Sequence, residues 1–247
     1  MKPVYLDYNA TTPIDPEVAE VMKPYLVDFF GNPSSSHWYG VQTKKGIETA
    51  RSQVADLLAC QPDEIVFTSG GSESNNYAIK GAAFANRIKG NHIITSAIEH
   101  PAVTEVCRYL EHEQFRVTYL PVDEWGLVDM VKLKESVTPQ TILISLMHAN
   151  NEVGTIQPIS DISELARQNG IIIHTDAAQS VGKIPASVNE LGVDLLSVAG
   201  HKLYAPKGIG ALFIRKGTDL EKLIHGASHE HNKRAGTENV LGIVGLG

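Results

Sequence analysis

The chain has 247 residues, 43% hydrophobic and 20% charged, with a formal net charge of −7. That length allows one large domain or two small ones, and the acidic balance disfavours nucleic acid or an anionic membrane as main partner, though not a small anion held by local donors. The two cysteines, Cys60 and Cys107, exclude a disulfide framework and fit a reducing compartment. No apolar run approaches the ~18 residues of a membrane span, so a soluble, cytoplasmic protein is expected.

In chain order, Val4-Tyr5-Leu6 is an extended lead-in and Asp7 to Pro13 is turn-rich. Asp15 as N-cap and Pro16 at the first helical position open a helix with an apolar stripe of Val18, Val21, Met22, Tyr25 and Leu26. Gly31 to His37 is a loop, and a second helix runs from about Val41 to Leu58 on Ile47, Val54, Leu57 and Leu58. Strands are expected at 64–68, 91–96, 115–120, 141–147, 171–175, 194–198 and 210–214, the last as a hairpin partner. Helices are expected at 74–88, 101–113, 129–136 and 159–168, the last closed by Asn169-Gly170, and another starts at Thr237-Glu238-Asn239. This alternation predicts an α/β fold, a mostly parallel sheet with helices on both faces.

Ligands in such sheets sit at the carboxyl ends of the strands. Asp176 ends one hydrophobic run and Lys202 follows another, so both are expected in one crevice. A lysine that forms a Schiff base and a carboxylate that keeps a pyridine nitrogen protonated are what pyridoxal phosphate needs. A plain Asp–Lys ion pair is the alternative. The turn Thr68-Ser69-Gly70-Gly71-Ser72-Glu73 lies between a strand and a helix, where exposed N–H groups form an anion cup; Ser72 as an ordinary N-cap is the competing reading. It is neither a Walker loop nor a dinucleotide turn.

His100, fixed before Pro101, suits stacking on an aromatic ring or carrying protons, or is a surface turn histidine. Asn151 and Gln179 suit hydrogen bonds to a ring oxygen, or simply cap backbone. His201, beside Lys202, suits a phosphate contact. His225, His229 and His231 have a metal-like spacing, but Gly226 argues against the helix that would align them, and no metal is expected.

Taken together, several stretches resemble the pyridoxal phosphate (PLP)-dependent cysteine desulfurases, class-V aminotransferase-like enzymes with selenocysteine lyases as close relatives. They are Tyr5 to Thr12, Gly31 to Ser35, Thr68 to Asn76, Glu99 to Val103, Asn150 to Gly154, Asp176 to Gln179, Gly200 to Lys202 and Arg234 to Asn239. The resemblance implies a fold type I large domain over residues 15–247. Residues 1–14 would belong with a small domain, whose C-terminal part this chain lacks.

The resemblance also implies that Lys202 attaches the cofactor, Asp176 pairs with its ring nitrogen, and His100 stacks on the ring and acts in catalysis. Asn151 and Gln179 would hold the ring-oxygen side, and Gly71, Ser72 and His201 the phosphate. Thr237 would reach the phosphate in a neighbouring subunit, which implies a homodimer. The implied substrate is L-cysteine (or selenocysteine), converted to L-alanine with sulfur carried as a persulfide to an acceptor or scaffold protein for iron–sulfur cluster or thio-cofactor assembly.

The chain departs from the family pattern in three ways. Ala199 stands where a serine is usual, and Gly226-Ala227-Ser228-His229-Glu230-His231 replaces a Gly-Gly-Gly-Gln-Glu-Arg run. The sulfur-accepting cysteine and the substrate-clamping arginine match nothing before Gly247; Cys60 and Cys107 read as structural. A selenocysteine lyase-like enzyme and a non-catalytic scaffold of the same fold are the alternative functions.

Overall fold

A computed structural model describes residues 3–247. Near the N-terminus, the Asp15 side chain accepts from Glu17 N and Pro16 opens α1 (Pro16–Met22). Pro24 lacks an N–H and restarts the chain as α2 (Pro24–Val27), so the expected single stripe is broken: Met22 is buried while Val21 and Leu26 face solvent. Helix α3 (Trp38–Leu58) begins three residues earlier than expected, capped by His37, and it buries Ile47, Val54 and Leu58 but exposes Leu57.

Seven strands form one sheet: β1 (Ile65–Thr68), β2 (His92–Ser96), β3 (Arg116–Leu120), β4 (Thr141–Ser145), β5 (Ile172–Asp176), β6 (Leu195–Ala199) and β7 (Gly210–Ile214), in the order β1-β7-β6-β5-β4-β2-β3. The pairs β2/β3, β2/β4, β4/β5 and β5/β6 are parallel, and β7 runs antiparallel to both β6 and β1. Six strands therefore point the same way, and the expected hairpin strand is the one reversed. The helices between them are α4 (Gly71–Ala85), α5 (Pro101–His112), α6 (Met130–Ser136), α7 (Ile159–Gln168) and α8 (Val188–Leu191), and α9 (Val240–Leu246) follows β7.

Neighbouring strand residues divide between two cores. Ile93, Leu143, Leu195 and Leu212 pack with α4 and α5 side chains such as Tyr77, Ile79, Val103 and Leu110. Ile94, Ile144, Leu196 and Phe213 pack with α3, α7 and α9 side chains such as Leu58, Ile162 and Ile243. This is the period-2 alternation of a sheet covered on both faces, which explains why the strands read as continuous hydrophobic runs. Among the described residues no helix is long and apolar enough to cross a membrane.

Candidate active site

The parallel strands deliver their carboxyl ends to one edge of the sheet. There a cavity of about 720 Å³ is lined by the Ser69–Glu73 turn, Asn75, His100, Met147, Asn151, Asp176, Gln179, Ala199, His201 and Lys202. Its size is that of a small-molecule site. It brings together eight of the nine residues singled out from the sequence.

The glycine turn depends on close backbone contacts. Thr68, Gly210 and Ala199 lie side by side in register across β1, β7 and β6. A Cβ on Gly210 would meet Gly70 Cα at 2.7 Å, and Gly70 itself has φ 145°, a region reserved for glycine. Gly70, not Ser72, is the N-cap, and α4 starts at Gly71, three residues earlier than expected. Ser72 therefore lies inside the first turn, where N–H groups have no partner within the helix. These donors and the helix dipole favour an anion at this end of the cavity.

Asp176 closes β5 with only 6% of its surface exposed. Its Oδ1 accepts from Ala178 N at 2.9 Å and its Oδ2 from Asn75 Nδ2 at 2.6 Å. Burial pushes its carboxyl above the usual range; the Ala178 and Asn75 hydrogen bonds and the nearby His100 and Lys202 pull in the opposite direction. Asn75 is 1% exposed and was missed as an individual site residue by sequence reasoning. Its only signal was a polar side chain on the buried side of a helix.

Lys202 sits in a short 3₁₀ turn after β6 and donates from Nζ to the Asn9 carbonyl oxygen. Burial, and then the Lys183 ammonium, lower its pKa against the opposing pull of Asp176, Asp7 and Glu152. An amine of this kind loses its proton more readily and is a better nucleophile. His100 caps α5: its Nδ1 accepts from Ala102 N at 3.0 Å, which leaves Nε2 as the protonated nitrogen in the neutral ring.

The amides of Asn151 and Gln179 already have protein partners. Asn151 Nδ2 donates to Glu152 Oε1 at 2.7 Å, and Gln179 Nε2 donates to the Asn9 carbonyl at 3.0 Å. Asn9 thus gathers Lys202, Gln179 and Asn151 through its own backbone and side chain. The N-terminal segment is anchored here too, with Thr12 N donating to the His201 carbonyl at 2.9 Å and His201 Nδ1 lying 3.2 Å from Thr11 Oγ1. Burial, Lys202 and Lys207 lower the His201 pKa.

Thr237 lies apart, beside a smaller cleft with Ser69, Gly208 and Arg234, and does not line this cavity. In the histidine segment His229 Nδ1 accepts from Gly236 N at 3.2 Å, and Glu230 forms a buried pair with Arg51 at 2.8 Å.

The aminotransferase class-V family model matches residues 4–247. The chain is 60% identical over 244 residues to the cysteine desulfurase IscS of Dictyoglomus turgidum, covering 99% of this chain and 62% of that protein. It is 55% identical over 246 residues to the IscS of Methanosarcina thermophila, covering 100% of this chain and 61% of that protein. A solved NifS-like protein superposes with a TM-score of 0.97 at 43% identity, covering 99% of this chain and 68% of that one. The chain belongs to the class-V aminotransferase family, among the cysteine desulfurases.

A solved structure of SspA in complex with cysteine superposes with a TM-score of 0.96 at 46% identity, covering 99% of this chain and 71% of that one. The chain spans about three-fifths of the length of the two IscS relatives. Members of this family depend on PLP, and the residues here fit it. The cavity pairs a buried carboxylate with a lysine whose pKa burial lowers and with an anion-binding helix start. Ala199 supplies a methyl group where a phosphate-binding hydroxyl is usual in the family. A Cβ on Gly71 would lie 3.2 Å from it, so the wall is tight at this point.

Proposed function

We propose that this chain is the cofactor-binding part of a PLP-dependent cysteine desulfurase, which takes sulfur from L-cysteine, leaves L-alanine, and passes the sulfur on as a persulfide for iron–sulfur cluster or thio-cofactor assembly. The observation that carries this reading is Asp176 and Lys202 lining one cavity whose third side is the glycine turn opening α4. When bound, PLP supplies an electron sink that weakens bonds at the amino acid's α and β carbons.

The protein's own groups would divide the remaining work. Lys202 would carry the cofactor, and burial beside Lys183 favours its neutral, nucleophilic amine. Asp176 would hold a proton on the ring nitrogen; the Asn75 and Ala178 hydrogen bonds favour its ionised form. The first-turn N–H groups of α4, with Ser72 and His201, would hold the phosphate. His100, with Nδ1 engaged by Ala102 N, would keep Nε2 free to give and take protons. Displacing the Asn151 and Gln179 amides from their present partners would free donors for the ring oxygen.

Neither cysteine of this chain suits the sulfur-accepting role. Neither lines the cavity, and burial pushes both thiols up to about 12, so little thiolate exists near neutrality. The whole protein would therefore use another cysteine, and this 247-residue chain should turn over little or no cysteine by itself. A homodimer is part of the proposal, supported by Thr237 lying outside its own cavity. A cytoplasmic setting is supported by two unpaired thiols.

The test is to mix the purified chain with PLP, reduce with borohydride and map the label by mass spectrometry. A visible absorbance band and a label on Lys202, both absent in Lys202→Ala, are expected. A chain that keeps no cofactor after desalting, or a label on another lysine, would refute the reading.

A further inference from the structure

Two loops carry side chains into the cavity: the turn between β2 and α5 holds His100, and the segment after β4 holds Asn151. They are tied together by groups to which no role has been given. Glu99 is 8% exposed, and its Oε1 accepts from Ser96 Oγ at 2.6 Å and from Met147 N at 3.0 Å. A reciprocal tie runs from Asn150 Nδ2 to the Ile98 carbonyl at 3.0 Å. Asn150 Oδ1 also accepts from the N–H groups of Glu152 and Val153 at 2.9 and 3.0 Å, which shapes the loop around Asn151.

Glu99 has no compensating cation. Among the described residues it forms no salt bridge, and its second oxygen has no hydrogen-bond partner. The ionisable groups acting on it or feeling it are Asp176 at the end of β5 and Cys107 on α5. Burying an unpaired carboxyl costs stability, so a packing role alone would be better served by an apolar residue. What the carboxyl does contribute is a single oxygen accepting from two different strand ends, one residue before His100.

We propose that Glu99 is a positioning residue: through Ser96 and Met147 it clamps the His100 turn to the Asn151 loop and so fixes the width of the cofactor cavity. This rests on the PLP reading above. Burial raises the Glu99 pKa to about 8, so the group is mainly protonated at neutral pH, and glutamine is its near-isosteric neutral mimic with the accepting oxygen retained.

The clamp is tested first without cofactor, by amide hydrogen exchange of the 247-residue chain. Glu99→Ala should speed exchange at residues 98–103 and 147–152 by about tenfold or more and leave β1 and β7 unchanged, while Glu99→Gln should stay close to wild type. PLP titration should then show about tenfold weaker binding in Glu99→Ala, with Glu99→Gln within about threefold of wild type. If Glu99→Ala does not fold, Ser96→Ala removes one of the two bonds and should shift both readouts in the same direction by less.

Unchanged exchange in the folded variant would overturn the clamp. Faster exchange with unchanged PLP affinity would overturn its link to the cofactor, as would loss of affinity in Glu99→Gln equal to that in Glu99→Ala. If the wild-type chain takes up no PLP, the functional reading falls, and the exchange data still decide whether the clamp exists.

Discussion

Asn75 sits behind Asp176 and illustrates how one buried amide can govern a charge. Burial disfavours the ionised form of Asp176; the 2.6 Å hydrogen bond from Asn75 Nδ2 stabilises it. Asn75→Ala removes that donor, so the Asp176 pKa should rise and its carboxylate form should be less favoured. A hydrogen bond to a charged group contributes about 1.5–3 kcal/mol, so PLP affinity should fall by roughly ten- to a hundredfold at pH 7. Because carboxylate is regained as pH rises, the ratio of wild-type to variant affinity should shrink with rising pH. Fluorescence titration of both proteins at several pH values measures the ratio; a ratio that does not change with pH would mean that Asn75 acts only by packing. The residues on which this turns were unequally legible in the sequence. Asp176 and Lys202 terminate or follow short hydrophobic runs, and the strand-end rule finds them. Asn75 and Glu99 lie inside or beside helices where nothing in the local pattern separates a ligand from a cap. Asn9 is brought to Gln179 and Lys202 across 170 and 193 positions of chain, a closeness that only the fold creates.

At the scale of elements, β-branched runs, Asp15-Pro16 and Asn169-Gly170 announced where strands and helices would lie, and α7 has the expected bounds. The misses have physical causes. Helix α4 absorbs Gly71 and Ser72 because Gly70 makes the turn alone, and it stops at Ala85, leaving Ile88 outside on the surface. Strand order is set by packing between residues far apart in the chain, so it was unreadable. One feature of the strands carries a stability prediction. His174 on β5 lies between Ser145 Oγ on β4 at 2.8 Å and Ser197 Oγ on β6 at 3.0 Å, a polar rung through the middle of the sheet. His92 makes a similar rung with Thr141 and Thr118, each at 2.8 Å. Burial depresses both imidazoles, His174 to about 3 and His92 to about 4. Their folded-state values lie below the unfolded value of about 6.5, so their full contribution is present above pH 6.5 and is lost as pH falls toward 3. Each should cost up to about 1.4 kcal/mol per pH unit inside that window. Urea unfolding at pH 7, 6 and 5 should show this slope in wild type. His174→Gln should be less stable at pH 7 but flatter with pH, and an unchanged slope would mean that the ring takes up protons as readily in the fold as in the unfolded chain.

At the scale of the whole molecule, an apolar surface is left uncovered. Leu26, Val27, Phe30, Trp38 and Tyr39 are exposed near the start of α3, with Phe30 at 69% and Trp38 at 59%. Their rings form a connected cluster: Trp38 to Tyr39 and Phe30 to Tyr39 are each 5.0 Å between centroids, and Phe29 to Trp38 is 6.2 Å. A contiguous aromatic surface of this kind is costly in water and marks a contact site, and a second copy of the chain can cover it with its own identical patch. On the homodimer proposed above, the clustered rings are the surface expected to self-associate. Sedimentation equilibrium should then find dimers at micromolar concentration, and Phe30→Glu or Trp38→Glu should shift them to monomers by placing a charge in a desolvated contact. The same substitutions should weaken PLP retention although neither side chain lines the cavity, because each monomer would lose the partner's Thr237. Dilution of wild type through its dimer dissociation constant should release cofactor in parallel. Monomers that hold PLP as firmly as dimers would separate the two properties and remove Thr237 from the site.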